Sequence, residues 1–213
     1  LRGKSGRLPS PSSQEPKILL PGSSAPRDAT QQVQRTMPNS AIDRLPPSNP
    51  SIWKVWAPCK IKMFLWLLHL DRLWCNDRLQ RRGWDNGYFC PMCMRSLETS
   101  VHLCWECPVA LQVWHAGATW NGCASLDQAF WHSGTTTTDR VQRIIAAAAP
   151  GHRKGVKTVV ALISWHIWLE RNACTFRGKQ PNTKHVIEAC KRDMEQWRMA
   201  GAKCTELPFG EVT

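Results

Sequence analysis

A mainly helical protein is predicted by three observations. Apolar residues recur with the 3.6-residue period in several separate stretches. No run of strand length shows period-2 alternation. A Pro- and Ser-rich start gives way at Ile52 to a segment dense in Trp and Cys, a change in character that marks where a core begins. At 213 residues the chain has room for one domain, at most two.

Residues 1–50 hold nine of the fifteen prolines and no aromatic residue. Such a segment buries too little apolar surface to offset its ordering entropy, so a disordered tail is expected there, with Lys17–Leu20 its most ordered patch. From Trp53 to Trp120 there are eight Trp residues. Pro58 suits a helix start, and Ile61, Phe64, Leu65 and Leu68 follow the i, i+3, i+4, i+7 template. Asn76 is expected to cap a short helix, Asp77–Arg82, that stops at Gly83. A Cys-rich loop spans 88–107, and a further helix is expected from about Pro108, with Leu111 and Trp114 on one face.

Residues 121–155 are weakly patterned and read as a linker, in which Ala146–Ala149 closes at most a short helix. Val156–Asn172 is apolar on most sides and reads as a buried helix. Asn182 or Thr183 can cap a last helix through about Trp197, with Val186, Ile187, Cys190, Met194 and Trp197 as its stripe. The division is therefore 1–50 tail, 51–120 small helical domain, 121–155 linker, 156–200 helical segment and 201–213 tail. The apolar runs Ile61–Leu70 and Thr158–Leu169 fall short of the ~20 residues that a spanning helix needs, so no membrane anchorage is expected.

Charge and cysteine usage bound the function. The chain has 28 Lys+Arg against 16 Asp+Glu, a net +12, and a sequence pI near 9.6. That balance favours polyanionic partners, RNA or single-stranded DNA first. Lys60, Lys62, Arg81 and Arg82 flank the short helices beside the Cys-rich loop and are the candidate phosphate contacts. No motif for reading base edges appears, so any binding is expected to be weak and sequence-tolerant. Residues 1–30 lack the 7–15-residue apolar core of a secretory signal. The ten cysteines are accordingly read as reduced thiols in an intracellular protein, some of them available to a metal.

The sharpest feature is Cys90-Pro-Met-Cys93, followed by His102 and Cys107. A Cys-x2-Cys turn lets two thiolates reach one ion, and a His and a Cys from the next segment complete a tetrahedron suited to zinc. The closing His-x4-Cys spacing is that of a zinc knuckle, with a longer central loop. Cys104 offers an all-thiolate alternative with Cys90, Cys93 and Cys107, and spacing leaves both sets open. The remaining cysteines, Cys59, Cys75, Cys123, Cys174, Cys190 and Cys204, read as buried or free thiols.

Trp53–Pro58 (WKVWAP) with Lys60–Lys62, Phe64 and Trp66 resembles the opening of the zinc-binding domain that follows the reverse transcriptase in plant LINE-type (non-LTR) retrotransposons. Asn76–Leu79 with Arg81–Gly83 is similar to its next block. Cys90-Pro-x-Cys93, Glu98-Thr99, His102-Leu103, Cys107-Pro108 and Val113-Trp114 resemble its metal block in order and spacing. The resemblance implies Cys90, Cys93, His102 and Cys107 as zinc ligands, with Cys104 at a position that is usually apolar. Trp165–Asn172 and Phe176 resemble, more loosely, the segment such polyproteins carry after that domain, and a nucleus is the workplace implied.

Catalysis in such polyproteins needs carboxylates on metal ions. Here Tyr88 is followed by Phe89 and Cys90, not an acid pair, and Asp193, Glu195, Glu206 and Glu211 lack a ribonuclease H context. The expectation is a non-catalytic remnant that kept the zinc domain, with no small-molecule substrate and with weak nucleic-acid binding. A protein-interaction module on a structural zinc site is the alternative, as is a remnant without selected function.

Overall fold

The structure is a computed structural model that describes residues 52–202. The tail expected at 1–50, and the second tail beyond Ala202, lie outside the described residues. Helices account for the regular structure there, and one isolated antiparallel bridge, Phe89 to Leu97, is the nearest approach to a sheet among the described residues.

Helix α1, Cys59–His69, begins after Pro58, whose carbonyl accepts from the amides of Ile61 and Lys62. It buries Ile61, Phe64, Leu65 and Leu68, the face its periodicity defines. The short α2, Asn76–Gln80, departs from expectation at its start. Cys75, not Asn76, occupies the capping position and supplies no side-chain cap. The amide of Asn76 instead donates to the carboxylate of Glu98 at 2.8 Å, so the cap comes from 22 residues away. Gly83, at φ +76°, follows the helix in the left-handed region, which glycine enters without a Cβ clash.

Helix α3, Pro108–Asn121, starts at the expected proline and ends at the left-handed Gly122. Its Gly117 meets the longest helix so closely that a Cβ there would sit 2.6 Å from Ile163 Cδ1. That helix, Arg153–Arg177, is α6 and lies at the centre of the described residues.

Residues 121–155 correct the sequence reading, because they are not a linker. They hold α4, Gln128–Trp131, capped by Asp127, and α5, Thr137–Ala147, capped by Thr136. Leu126, Trp131 and Ile144 are wholly buried. Trp131 lies edge-on to Trp105 (5.3 Å between ring centroids) and Trp114 (5.8 Å), while those two stack at 4.8 Å. All three indole N–H groups are used: Trp131 donates to Leu126 O, Trp114 to Cys104 O, and Trp105 to Thr137 Oγ1. Val141, Ile144 and Ile145 of α5, with its C-cap Ala148, stand at the i, i+3, i+4, i+7 spacing of a helix face, a short stripe that the sequence reading passes over, and Arg140 is buried beside it. Its charge is met by Gly134 O at 2.6 Å and Glu106 at 2.7 Å.

Helix α6 runs from Arg153 to Arg177, longer than expected, and is buried on most of its circumference. It packs against α1, α3, α5 and α7. Phe64 of α1 meets its Trp165 edge-on at 5.4 Å and Trp168 at 6.1 Å. Helix α7, Thr183–Met199, is capped by Asn182, which accepts from the amide of His185, and buries the expected stripe. No helix among the described residues is long and apolar enough to cross a membrane.

Trp131→Ala removes the ring that joins the supposed linker to the rest of the core. The expected loss is about 3–5 kcal/mol of unfolding free energy, read from urea denaturation of the zinc-loaded chain. A change within about 0.5 kcal/mol, the surface-residue range, would contradict this packing.

Candidate metal centre

A hairpin-like loop presents the first two ligand candidates. The Phe89–Leu97 bridge closes it, Cys90 N–H donates to Ser96 O, and Met94 N–H turns back to Cys90 O, each at 2.8 Å. Met94 takes a left-handed backbone, φ +54°, to complete the turn. The other two candidates flank a single wide helical turn, His102–Glu106, in which Cys107 N–H donates to His102 O, five residues back. Such a turn holds one residue more than an α-helical turn. Thr99 Oγ1 accepts from His102 N–H at 2.9 Å and fixes where it begins.

These elements bring Cys90, Cys93, His102 and Cys107 together, with their ligand atoms all within 4.8 Å of one another. Cys90 Sγ lies 3.9 Å from Cys107 Sγ, and Cys93 Sγ 3.4 Å from His102 Nε2. A zinc tetrahedron with Zn–S near 2.3 Å and Zn–N near 2.0 Å has S···S edges of about 3.8 Å and S···N edges of about 3.5 Å. The contacts thus have the lengths of tetrahedral edges, and the donor set fits zinc. Without metal, the Cys90–Cys107 hydrogen bond pushes Cys90 up to about 12 and lowers Cys107. Cys107 is therefore the more acidic thiol of the pair.

Cys104, the alternative ligand, lies outside the cluster. It is wholly buried, and burial followed by the Glu98 charge pushes its thiol strongly upward, away from the thiolate a metal requires. Its carbonyl serves Trp114 instead. Every cysteine among the described residues is free of a disulfide.

Behind the loop lies a feature that sequence reasoning did not single out. Glu98 has no exposed side-chain surface and Arg171 of α6 only 3%. The guanidinium holds the carboxylate with both arms, Nε to Oε1 at 2.6 Å and Nη2 to Oε2 at 2.7 Å. Asn76 N–H completes the carboxylate shell, and Arg171 also lies 5.3 Å over the Trp168 ring. Both residues appeared in the sequence only as members of resembling blocks. No local signal marks Glu98, since residues 94–97 before it are exposed and its partner is 73 residues away.

The four basic candidates find different partners. Lys60 lies 5.8 Å over the Trp165 ring, and Lys62 Nζ donates to Trp53 O. Arg81 pairs with Asp77 at 2.9 Å, and Arg82 lies 4.7 Å over the exposed Trp74 ring. Arg82 has the freer charge of the α2 pair, because its neighbour already faces a carboxylate.

His102→Ala should abolish stoichiometric zinc, measured by metal analysis of the purified chain, whereas Cys104→Ser should retain it. The reverse pattern would move the fourth ligand to Cys104. Arg171→Met should cost about 3–5 kcal/mol in denaturant unfolding, because it leaves a buried carboxylate uncompensated. The Glu98→Leu, Arg171→Met pair should recover part of that loss, and a double variant as unstable as the sum of both singles would show the charges to be independent.

Residues 34–114 match the family described as zinc-binding in reverse transcriptase. An Arabidopsis thaliana protein named as a ribonuclease H protein is 28% identical over 78 residues, which cover 34% of this chain and 13% of that protein. No solved structure matches the chain. The family match takes in all four residues of the Cys/His cluster. Residues 34–114 are thus similar to the zinc-binding domain of reverse transcriptases, a likeness consistent with derivation from a plant retrotransposon.

Proposed function

We propose that this chain is a non-catalytic zinc domain whose metal, held by Cys90, Cys93, His102 and Cys107, is structural, and that its residual activity is weak, sequence-tolerant binding of single-stranded RNA or DNA. The observation that carries the first part is the closed donor set, four protein ligand atoms within 4.8 Å of one another. A hydrolytic zinc keeps one position for water. The name of the Arabidopsis relative speaks of ribonuclease H, but the aligned stretch is a small part of that protein.

The second part is supported by the +12 charge and by basic side chains around the zinc loop. Phosphate contacts of that kind release counterions, so affinity falls with salt. Reduced thiols in the cluster fit an intracellular, and on the family's logic nuclear, setting.

Binding of a labelled single strand should be titrated across salt concentrations with the zinc-loaded chain. Lys60→Ala/Lys62→Ala and Arg81→Ala/Arg82→Ala should each flatten the log–log salt slope, by roughly 0.7 for every phosphate contact removed. An unchanged slope in both double variants would reject these contacts. Primer extension or RNA cleavage by the purified chain, abolished by a point mutation in it, would reject the non-catalytic reading.

A further inference from the structure

Six of the twelve exposed large hydrophobic side chains among the described residues fall between Trp74 and Leu97: Trp74, Trp84, Tyr88, Phe89, Met94 and Leu97. Trp84, at 68% exposure, is the most open of the four aromatic rings. These side chains stand on a fixed backbone. Trp84 N–H donates to Leu79 O, Asn86 Nδ2 to Asn76 O, and Asn76 Nδ2 to Phe89 O, so the 84–89 loop is tied to α2 at three points. Exposed rings on a tied backbone have already lost much of the freedom that binding would otherwise take away.

Arginines accompany the rings. Arg82 and Arg78 lie 4.7 and 5.8 Å from the Trp74 ring centroid. Arg81 and Arg95 belong to the same Trp74–Leu97 stretch, whose acids are Asp77 and Asp85. Asp77 is engaged by Arg81. An interfacial membrane helix presents its apolar side chains along one face. Here the rings sit on the loops before and after a five-residue helix. Aromatic faces beside unpaired guanidinium groups match the two chemistries of an unpaired nucleic-acid strand, flat bases and phosphates. A duplex hides its base faces and offers only the second.

We infer that this face is a stacking surface for unpaired nucleotides, with Trp84 and Tyr88 taking bases and Arg82 and Arg95 taking phosphates. The inference rests on the nucleic-acid reading above and sharpens it to single strands held partly by stacking. None of these side chains belongs to the zinc ligand set or the buried core, so substitutions here leave the fold in place.

The test compares a labelled oligouridylate with a duplex of equal length, on the full zinc-loaded chain, at low and high salt. Trp84→Ala/Tyr88→Ala should weaken single-strand binding by ~10-fold or more at high salt, where stacking persists, and leave the salt slope unchanged. Trp84→Phe/Tyr88→Phe should restore most of that loss, because a benzene ring still stacks. Zinc content and unfolding midpoint should be those of the parent chain in both. Wild-type affinity in the alanine variant, or a duplex bound as tightly as the single strand, overturns the stacking surface while leaving the electrostatic reading in force. Absence of any wild-type binding at low salt overturns both and assigns the apolar face to a protein partner.

Discussion

A carboxylate taken out of water loses several kcal/mol of hydration unless charge and hydrogen bonds replace it. Glu98 is in that position, and the fold is arranged around its replacement partners. One is the amide that starts α2, another the guanidinium near the end of α6. Satisfying one side chain therefore fixes the zinc loop, a short helix and the central helix relative to one another. A local sequence could supply a cap for α2, but only a folded chain can supply Arg171. That makes the metal loop and α6 parts of one structure, although they are far apart in sequence.

The metal and the apolar core divide the work of holding that structure. Small zinc modules draw about 10–16 kcal/mol of folding free energy from the ion. Here the loop also leans on the Trp105, Trp114 and Trp131 cluster, whose rings join the wide turn after His102 to α3 and α4. Ring burial of this kind contributes without regard to metal. Its indole N–H groups end on a carbonyl of the turn, a carbonyl before α4 and a hydroxyl of α5, so the cluster is also oriented by polar contacts. Metal loss should accordingly loosen the 89–107 loop before it loosens the α6 and α7 pair.

What was legible in the sequence follows the range of the interactions. Helices α1, α3, α6 and α7 carry continuous apolar stripes or a proline start, and the sequence reading finds each of them. The Cys/His spacing likewise points to the cluster, because both halves of the site are local turns. Helix α4 escapes, since Leu126 and Trp131 are single anchors whose meaning lies in distant rings. Helix α5 is legible in Val141, Ile144, Ile145 and Ala148, a stripe of two turns set between a Thr run and an Ala run that read as loop and short helix. The capping of α2 is misread for the reason that hides α4: Asn76 has the chemistry of a cap, but a stronger acceptor arrives through tertiary structure. Spacing leaves His102 and Cys104 open, and the family resemblance points to His102. The direction each side chain takes from a turn of unusual width is the physical reason, which spacing does not encode.

That wide turn has a consequence for how the domain tolerates change. His102 and Cys107 meet because the chain between them closes a ring one residue larger than an α-helical turn. Leu103, Cys104 and Trp105 point into the core from the same turn. Deleting one residue from 103–106 would swing Cys107 about 100° around the helix axis, out of reach of the other three donors. Replacing any of the four by a side chain of similar volume leaves the arc length intact. The segment between these ligands thus carries two constraints, a count of residues that sets where Cys107 lands and side chains that fill the core. A change of length offends the first whatever letters are used.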